Sequence, residues 1–172
     1  GSGQLGSRIV RQLLARGAEV CVTYRPGDPT DAINDLHTLE HRPADLLDAK
    51  AIAHAVAGAD VVFHTAAMIV FKQELYDQMM HTNIEGTRNV LDAVRKTGAR
   101  RLVHTSTVSA LGIPKPGSVG DETTAFNWAP YRLAYYDSKH ASEQLVLDAA
   151  ASDIDAVIVQ PGTMFGPDDF NL

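Results

Sequence analysis

The sequence predicts a doubly wound α/β fold built around a parallel β-sheet. Short apolar, β-branched segments alternate along the chain with longer segments of helical periodicity. This alternation is typical of parallel strands joined by crossover helices. The apolar segments are continuous, which is typical of strands buried on both faces. A glycine-rich turn also stands at the head of the first helix. These features together predict one α/β domain.

The first 56 residues are predicted to contain two helices and two strands. Apolar side chains recur at helical spacing over residues 4–16, and Gly17 is suited to end that helix. Residues 19–24 (EVCVTY) form a β-branched run that ends at a Pro-Gly turn, and a weaker strand is predicted near 38–42. A short helix is expected at 49–56.

The chain after residue 56 continues the alternation of strands and helices. Residues 111–130 hold three prolines and three glycines, so this segment is predicted to be a loop. Gly98 is suited to cap the long helix before it, because glycine readily adopts the left-handed backbone at a helix end. The remaining predicted elements are strands at 60–65, 101–106 and 156–160 and helices at 75–97 and 131–150.

Composition and charge exclude several classes of protein. The chain has 172 residues, of which 45% are hydrophobic and 21% charged, so a globular domain with a real core is expected. The net charge of −6 gives no global attraction for nucleic acid. No run of 18 apolar residues indicates a membrane span. Cys21 has no second cysteine to pair with, which favours a reducing, cytoplasmic location.

The glycine turn Gly1-x-Gly3-x-x-Gly6 predicts an anion site at the first helix. Glycine lets the backbone approach a ligand closely, and the helix N-terminus offers free N–H groups with a partial positive charge. This pattern suits the pyrophosphate of a dinucleotide, which would also contact Gln4 and Leu5. An ordinary glycine-rich turn remains the alternative, because the spacing alone is a weak signal.

The residues at the end of the predicted strand 19–24 indicate which dinucleotide is bound. A carboxylate at this position favours NAD, whereas an arginine accommodates the 2′-phosphate of NADP. Tyr24 and Arg25 stand there, and Asp28 follows only after Pro26. We therefore expect NADP as the cofactor, with NAD as the alternative. A solvated surface arginine is the other interpretation of Arg25.

Tyr135 and Lys139 are the strongest catalytic candidates. They lie four residues apart on a predicted helix and therefore share one face. A neighbouring ammonium favours the phenolate, so the tyrosine becomes a usable acid or base. Thr107 follows a predicted strand at the edge where ligands bind in this fold, and its hydroxyl suits a substrate oxygen. Ser106 and Ser109 compete with Thr107 for that role, and all three hydroxyls suit a structural cap equally well.

The chain resembles the extended short-chain dehydrogenase/reductase family, also called the NAD-dependent epimerase/dehydratase family. The glycine turn of that family reads TGxxGxxG, and its second and third glycines correspond to Gly3 and Gly6. The threonine and the first glycine of the motif would precede Gly1. The further motifs that carry the resemblance are Asp45-Leu46, Ala66-Ala67, Asn83-Ile84-Glu85-Gly86-Thr87, Thr105-Ser106-Thr107, Tyr135-Tyr136-Asp137-Ser138-Lys139, and Pro161-Gly162 with Gly166-Pro167. Thr23-Tyr24-Arg25 is similar to dihydroflavonol reductase-like members, which favour NADP and reduce ketones.

The resemblance implies a Rossmann fold and a role for each motif. Asp45-Leu46 would contact the adenine, Ala66-Ala67 would lie along the cofactor, and Pro161-Gly162 would lie near the nicotinamide. Residues 1–172 would form an NAD(P)-binding domain that lacks its first strand and most of the C-terminal substrate domain. In the strand order 3-2-1-4-5-6, the strands at 19–24 and 60–65 would then flank an empty position without pairing.

The implied function is an NAD(P)-dependent oxidoreductase that reduces a ketone or oxidises a secondary alcohol of a small molecule. A nucleotide-sugar epimerase or dehydratase and a non-catalytic NADP-sensing regulator are the alternatives. A homodimer is one option for the assembly. The seven histidines form no HExxH motif or Cys/His cluster, so no metal site is expected. His64 and His104 are expected to be hydrogen-bonded residues of the crevice.

Overall fold

The computed structural model describes residues 1–166, and within them helices and strands alternate as predicted. Pro167 of the last family motif, and every residue after it, lies outside the described residues. The elements are α1 (Gln4–Ala15), β1 (Cys21–Val22), β2 (Glu40–His41), α2 (Ala49–Val56), β3 (Val61–His64), α3 (Tyr76–Thr97), β4 (Arg101–Thr105), α4 (Ala134–Ser152) and β5 (Ala156–Val159).

All strand pairings in the described residues are parallel. β1 pairs with β2, and β3, β4 and β5 form a second sheet in that order. Within residues 1–166 no ladder joins β1 to β3. The predicted α/β class is therefore confirmed, and so is the expectation that these two strands do not pair directly.

The first predicted strand is much shorter than the predicted range 19–24. Only Cys21–Val22 is regular strand, because β1 has a neighbouring strand on one side alone among the described residues. Backbone hydrogen bonds to the segment that contains β2 nevertheless continue over most of the predicted range 19–24. Along it, carbonyls of Val20, Val22 and Tyr24 accept from the amides of Glu40, Arg42 and Ala44 at 3.2, 2.9 and 2.9 Å.

The last long helix begins later than residue 131, so that prediction is wrong at its N-terminal end. Residues Ala129–Tyr131 form a separate 3-10 turn that contains Pro130. Arg132 then adopts a left-handed backbone with φ of 47°, which interrupts the helical path. α4 begins at Ala134, and Tyr135 consequently lies in its first turn.

The main hydrophobic core lies between the three-stranded sheet and helices α2, α3 and α4. Leu102 of β4 and Val146 of α4 are fully buried there. A side chain of this size contributes about 1.5–3 kcal/mol when it leaves water. This packing fixes α4 against the sheet and so sets the position of Tyr135 and Lys139. No helix within residues 1–166 has the length and apolarity needed to cross a membrane.

Candidate active site

The N-terminus of α1 has the form of an anion site. Gly3 precedes the helix in an extended conformation, and no side chain caps the helix. The free N–H groups of the first turn therefore have no side-chain acceptor at this cap. A Cβ atom added to Gly3 would meet nothing within 4 Å, so the space in front of the turn is open. Gln4 and Leu5 begin the helix at this opening, and the residues present fit a phosphate group.

The two other glycines of the turn are needed for close packing. A Cβ on Gly1 would lie 2.3 Å from Cγ2 of Val22, and a Cβ on Gly6 would lie 2.6 Å from the carbonyl oxygen of Gly1. Such distances are not tolerated without a shift of the backbone. The turn therefore packs directly against the β1 strand, which leaves Gly3 as the glycine that faces open space.

Arg25 is already paired with the carboxylate that follows it in sequence. Its Nε and Nη2 atoms donate to Oδ1 of Asp28 at 3.0 and 2.7 Å. The side chain of Arg25 is nevertheless 66% exposed. Asp28 therefore brings a carboxylate to Arg25 at the end of the strand, although it comes after Pro26 in the sequence and no acid stands directly beside Arg25. The structure leaves both a 2′-phosphate and a 2′-hydroxyl as chemically reasonable partners here.

The Asp45-Leu46 step is held by helix α3. The side chain of Asp45 accepts from the amide of Leu47 at 2.8 Å, and Nδ2 of Asn89 donates to the carbonyl of Leu46 at 2.7 Å. Gly86 lets this segment approach the helix, because a Cβ there would lie only 3.0 Å from Cβ of Leu46. Gly86 and Asn89 thus hold this segment against the helix.

Asn83 connects the segment after β3 to the helix that carries Tyr135. Its Oδ1 accepts from the amide of Met68 at 2.7 Å, and its Nδ2 donates to the Met68 carbonyl and to Oγ of Ser138, both at 3.0 Å. Ser138 in turn donates to the carbonyl of Tyr135 at 3.0 Å. Sequence analysis found Asn83 only as part of a motif and gave it no role. Ala66-Ala67 directly precede the anchored Met68.

Lys139 is buried where α4 meets the carboxyl end of β4. Its Nζ donates to the carbonyl of Thr105 at 2.7 Å, and only 5% of the residue is exposed. Burial lowers the pKa of Lys139 to about 8, while the negative charge of Glu143 acts in the opposite direction. Thr107 follows β4 by two residues, so the structure brings the Lys139 ammonium close to the strand end that bears the predicted hydroxyl.

Thr107 is buried, and its hydroxyl already has a structural role. Oγ1 accepts from the amide of Ser109 at 3.2 Å and caps the 3-10 turn Val108–Ala110. Ser106 competes with it, because its buried hydroxyl has no hydrogen-bond partner among the described residues. The separation between the hydroxyls of Thr107 and Tyr135 stays a prediction, as does the choice of Thr107 over Ser106.

Two buried imidazoles lie beside Lys139. The ring centroids of His64 and His104 are 5.1 Å apart, and Nε2 of His64 lies 3.2 Å from Oγ1 of Thr87. Burial and then the charge of Lys139 lower the pKa of His64 to about 3, and burial and then His64 lower that of His104 to about 2. His104 corrects our expectation, because neither of its ring nitrogens has a partner in the described part of the chain.

Pro161 and Gly162 follow β5 and lie next to the turn after Thr107. The carbonyl of Pro161 accepts from the amide of Val108 at 3.1 Å, and a Cβ on Gly162 would meet nothing within 4 Å. An open cavity of about 490 Å³ lies at this side of the sheet, and its lining includes Thr105 and Pro161. The segment therefore borders both open space and the strand end where Lys139 is bound.

A second, smaller cavity of about 250 Å³ lies at Tyr135 itself. Phe71 lines it and is 87% exposed, and its ring centroid lies 6.5 Å from that of Tyr135. Leu133 and Val70 add further apolar surface, and Lys72 adds a cation. Within residues 1–166 no cluster of three or more His, Cys, Asp or Glu side chains is arranged to hold a metal ion.

Known proteins are similar to this chain in sequence and in fold. "Sterol demethylase protein B" of Methylococcus capsulatus is 34% identical over 169 residues, covering 98% of this chain and 51% of that protein. "2-alkyl-3-oxoalkanoate reductase" of Stenotrophomonas maltophilia is 34% identical over 175 residues, covering 100% and 51%. A UDP-glucose 4-epimerase of Thermus thermophilus, solved with NAD, matches with a TM-score of 0.79 and 28% identity over 92% of this chain and 52% of that one.

The chain thus spans about half the length of the curated relatives it matches. Reductases are among these relatives, in agreement with the predicted resemblance to dihydroflavonol reductase-like members. The sequence model of the NAD dependent epimerase/dehydratase family matches residues 1–172. The chain therefore belongs to the NAD dependent epimerase/dehydratase family.

Proposed function

We propose that residues 1–172 form the cofactor-binding domain of an NAD(P)-dependent oxidoreductase. Its reaction is the reduction of a ketone, or the oxidation of a secondary alcohol, on a small molecule. The observation that carries this proposal is the buried Lys139, bonded to the end of β4 and one helical turn from Tyr135. A buried ammonium is energetically costly, and groups with strongly perturbed pKa values are concentrated at functional sites.

The residues present fit a nicotinamide dinucleotide. The open, uncapped turn at α1 would hold the pyrophosphate, and the anchored segments after β2, β3 and β5 would border the rest of the molecule. When bound, this cofactor supplies or accepts a hydride. The residues that would hold it are Gly1, Gly3, Gln4, Leu5, Gly6, Arg25, Asp45, Leu46, Ala66, Ala67, Tyr135, Lys139, Pro161 and Gly162.

The chain's own residues would carry the proton chemistry. Tyr135 donates a proton to the oxygen of the reacting carbonyl, or accepts it in the opposite direction. Lys139 stabilises the resulting phenolate, and its charge acts strongly because the ammonium is buried in a medium of low dielectric constant. Thr107 holds the substrate oxygen by a hydrogen bond, for which its Oγ1 proton remains available because Oγ1 only accepts from Ser109.

Arg25 supports NADP as the cofactor. A 2′-phosphate offers a more strongly charged partner than the Asp28 carboxylate that the guanidinium now binds. Because Arg25 is largely exposed, it can exchange one anion for the other without a change in the fold. NAD remains the alternative, since a carboxylate such as Asp28 can accept from a ribose hydroxyl.

The surroundings of Tyr135 favour a carbonyl substrate with an apolar body. Phe71, Val70 and Leu133 give the adjacent cavity apolar walls. The names of two relatives, a 2-alkyl-3-oxoalkanoate reductase and a farnesyl dihydroquinoline-oxide ketoreductase, describe substrates of this kind. The likeness to the UDP-glucose 4-epimerase keeps nucleotide-sugar epimerisation as the second candidate. A non-catalytic NADP sensor would have no need of both Tyr135 and Lys139.

Deuterium tracing distinguishes these functions. The full-length protein is incubated with a 2-alkyl-3-oxoalkanoate and NADPH that carries deuterium at both C4 positions of the nicotinamide, and separately with UDP-galactose and NAD⁺. A reductase transfers one deuterium to the carbinol carbon for each NADPH oxidised. An epimerase interconverts the sugar without net reduction of NAD⁺. Absence of both reactions, with NADPH bound, would leave the sensor as the correct account.

A further inference from the structure

Glu143 is a buried carboxylate to which the proposed reaction assigns no role. Only 6% of it is exposed, and it lies one turn beyond Lys139 on α4. Both of its oxygens accept from Nε2 of Gln160, at 2.9 and 3.0 Å. Among the described ion pairs, none neutralises this carboxylate. A buried anion is costly, so its presence one turn from a buried cation calls for a reason.

Gln160 connects this carboxylate to the opposite wall of the site. It follows β5 directly and precedes Pro161, whose carbonyl bonds to the turn after Thr107. The hydrogen bonds from Gln160 to Glu143 therefore join the helix of Tyr135 and Lys139 to the end of β5. A hydrogen bond to an ionised group is stronger than one between neutral groups, so these bonds help to fix the two elements relative to each other.

The groups that face Lys139 make Glu143 electrostatically distinctive. His64 of β3 and His104 of β4 are buried, and their lowered pKa values keep both imidazoles neutral. Tyr135 shares the helix face with Lys139. Within residues 1–166, Glu143 is the acidic group that raises the pKa of Lys139 against the effect of burial. Without it, burial alone would favour the neutral amine.

We propose that Glu143 is a positioning residue of the site, which keeps Lys139 charged near neutral pH and ties α4 to the strand end at Gln160. This inference rests on the proposed role of Lys139. The charged Lys139 is the form that stabilises a phenolate at Tyr135, so Glu143 acts through Lys139 and touches neither substrate nor cofactor. Gln160 holds the carboxylate in place without supplying a charge of its own.

Glu143→Gln separates the charge of this residue from its shape. The amide oxygen of the new side chain still accepts from Gln160, but the negative charge is lost. A neighbouring opposite charge favours the ammonium form, so its removal should lower the pKa of Lys139, and we expect a shift of about one pH unit. The alkaline limb of kcat/KM should move down by the same amount. Activity should fall roughly fivefold to tenfold at pH 8.5 and stay near that of the unchanged protein at pH 6.

The swapped pair Glu143→Gln/Gln160→Glu provides the rescue. It returns a carboxylate to the same hydrogen-bonded pair, now at position 160 and accepting from the amide on α4, and should restore much of the alkaline limb. Asp148→Asn is the matched control, because it removes an exposed negative charge from the same helix and should leave the profile in place. The swap also keeps the proposal testable if the single variant folds poorly.

Titration of Lys139 in the protein without cofactor gives a second measurement. The protein is labelled with ¹³C-lysine, and the Lys139 signal is assigned with Lys139→Arg. Its midpoint should fall in Glu143→Gln and recover in the swapped pair. An unchanged midpoint, or a loss of activity that is equal at every pH, would overturn the proposal. If the unchanged protein catalyses no NAD(P)-linked reaction, the proposed function fails, and the Lys139 titration still tests the contact between Glu143 and Lys139.

Discussion

Replacement of Lys139 by methionine should stabilise the protein at pH 7 while it removes activity. Burial lowers the pKa of Lys139 from 10.5 to about 8. At 1.36 kcal/mol per pKa unit, the buried ammonium costs roughly 3 kcal/mol relative to the unfolded chain. The lost hydrogen bond to the Thr105 carbonyl offsets about 1.5–3 kcal/mol of that gain. We expect a net increase of about 1 kcal/mol in the free energy of unfolding of Lys139→Met at pH 7.

The pH dependence of this difference is the sharper prediction. Between about pH 8 and 10.5 the unfolded chain binds more protons at this position than the folded one, so the unchanged protein gains stability as the pH rises. The variant has no such group. The stability of Lys139→Met relative to the unchanged protein should therefore decrease by roughly 3 kcal/mol from pH 7 to pH 10.5.

Urea unfolding followed by the fluorescence of Trp128, the single tryptophan of this chain, measures both values. Lys115→Met serves as the control, because Lys115 is exposed in the loop before α4. It should stay within about 0.5 kcal/mol of the unchanged protein at every pH. A Lys139→Met variant that is equally destabilised at pH 7 and pH 10 would refute the claim that Lys139 is held as a buried ammonium.

Three other substitutions test the cofactor site and its support. Arg25→Ala should narrow the preference for NADPH over NADH in binding titrations. Asp28→Asn frees the guanidinium and should widen that preference. A preference for NADH in the unchanged protein would show that the interpretation of Arg25 as a ligand of the 2′-phosphate is wrong. Gly3→Ala should leave the thermal midpoint unchanged, since its methyl group meets nothing within 4 Å, but should weaken NADPH binding; equal binding would place the pyrophosphate elsewhere. Asn83→Asp removes two donated hydrogen bonds and should cost about 1–3 kcal/mol in urea unfolding, and a neutral result would remove Asn83 from the support of the site.

The sequence predicted those helix ends that depend on local chemistry. α2 begins where Asp48 caps it, with Oδ1 accepting from the amides of Lys50 and Ala51. α3 ends where Gly98 takes a left-handed backbone with φ of 70°. The start of α4 was predicted three residues too early, because Arg132 departs from its usual backbone preference. Its guanidinium lies 4.9 Å from the centroid of the Tyr76 ring, a tertiary contact that no local pattern encodes.

The candidate site likewise combines features that local sequence patterns predict with contacts that only the folded structure creates. Helical periodicity was sufficient to place Tyr135 and Lys139 on one face, whereas the closeness of Thr107 to Tyr135 stays a prediction from the position of the strand end. The bond from Lys139 to the Thr105 carbonyl joins residues 34 positions apart. The bond from Gln160 to Glu143 joins residues 17 apart. Such contacts depend on how helix and sheet pack, and for that reason the role proposed for Glu143 was not visible in the sequence.

Tyr135 is proposed to transfer the proton in an NAD(P)-linked reaction, and its neighbour in sequence offers a matched control. Tyr136 packs its ring edge-on against Trp128 at 5.0 Å and against Tyr135 at 6.1 Å, so Tyr136→Phe removes the same hydroxyl group one residue away. Single-turnover oxidation of bound NADPH by a ketone is measured in both variants of the full-length protein. We predict that Tyr135→Phe binds NADPH normally but reacts about 10²- to 10⁴-fold more slowly, whereas Tyr136→Phe reacts within a few-fold of the unchanged protein. A Tyr135→Phe variant that retains the full rate, or an equal loss in both variants, would contradict the account.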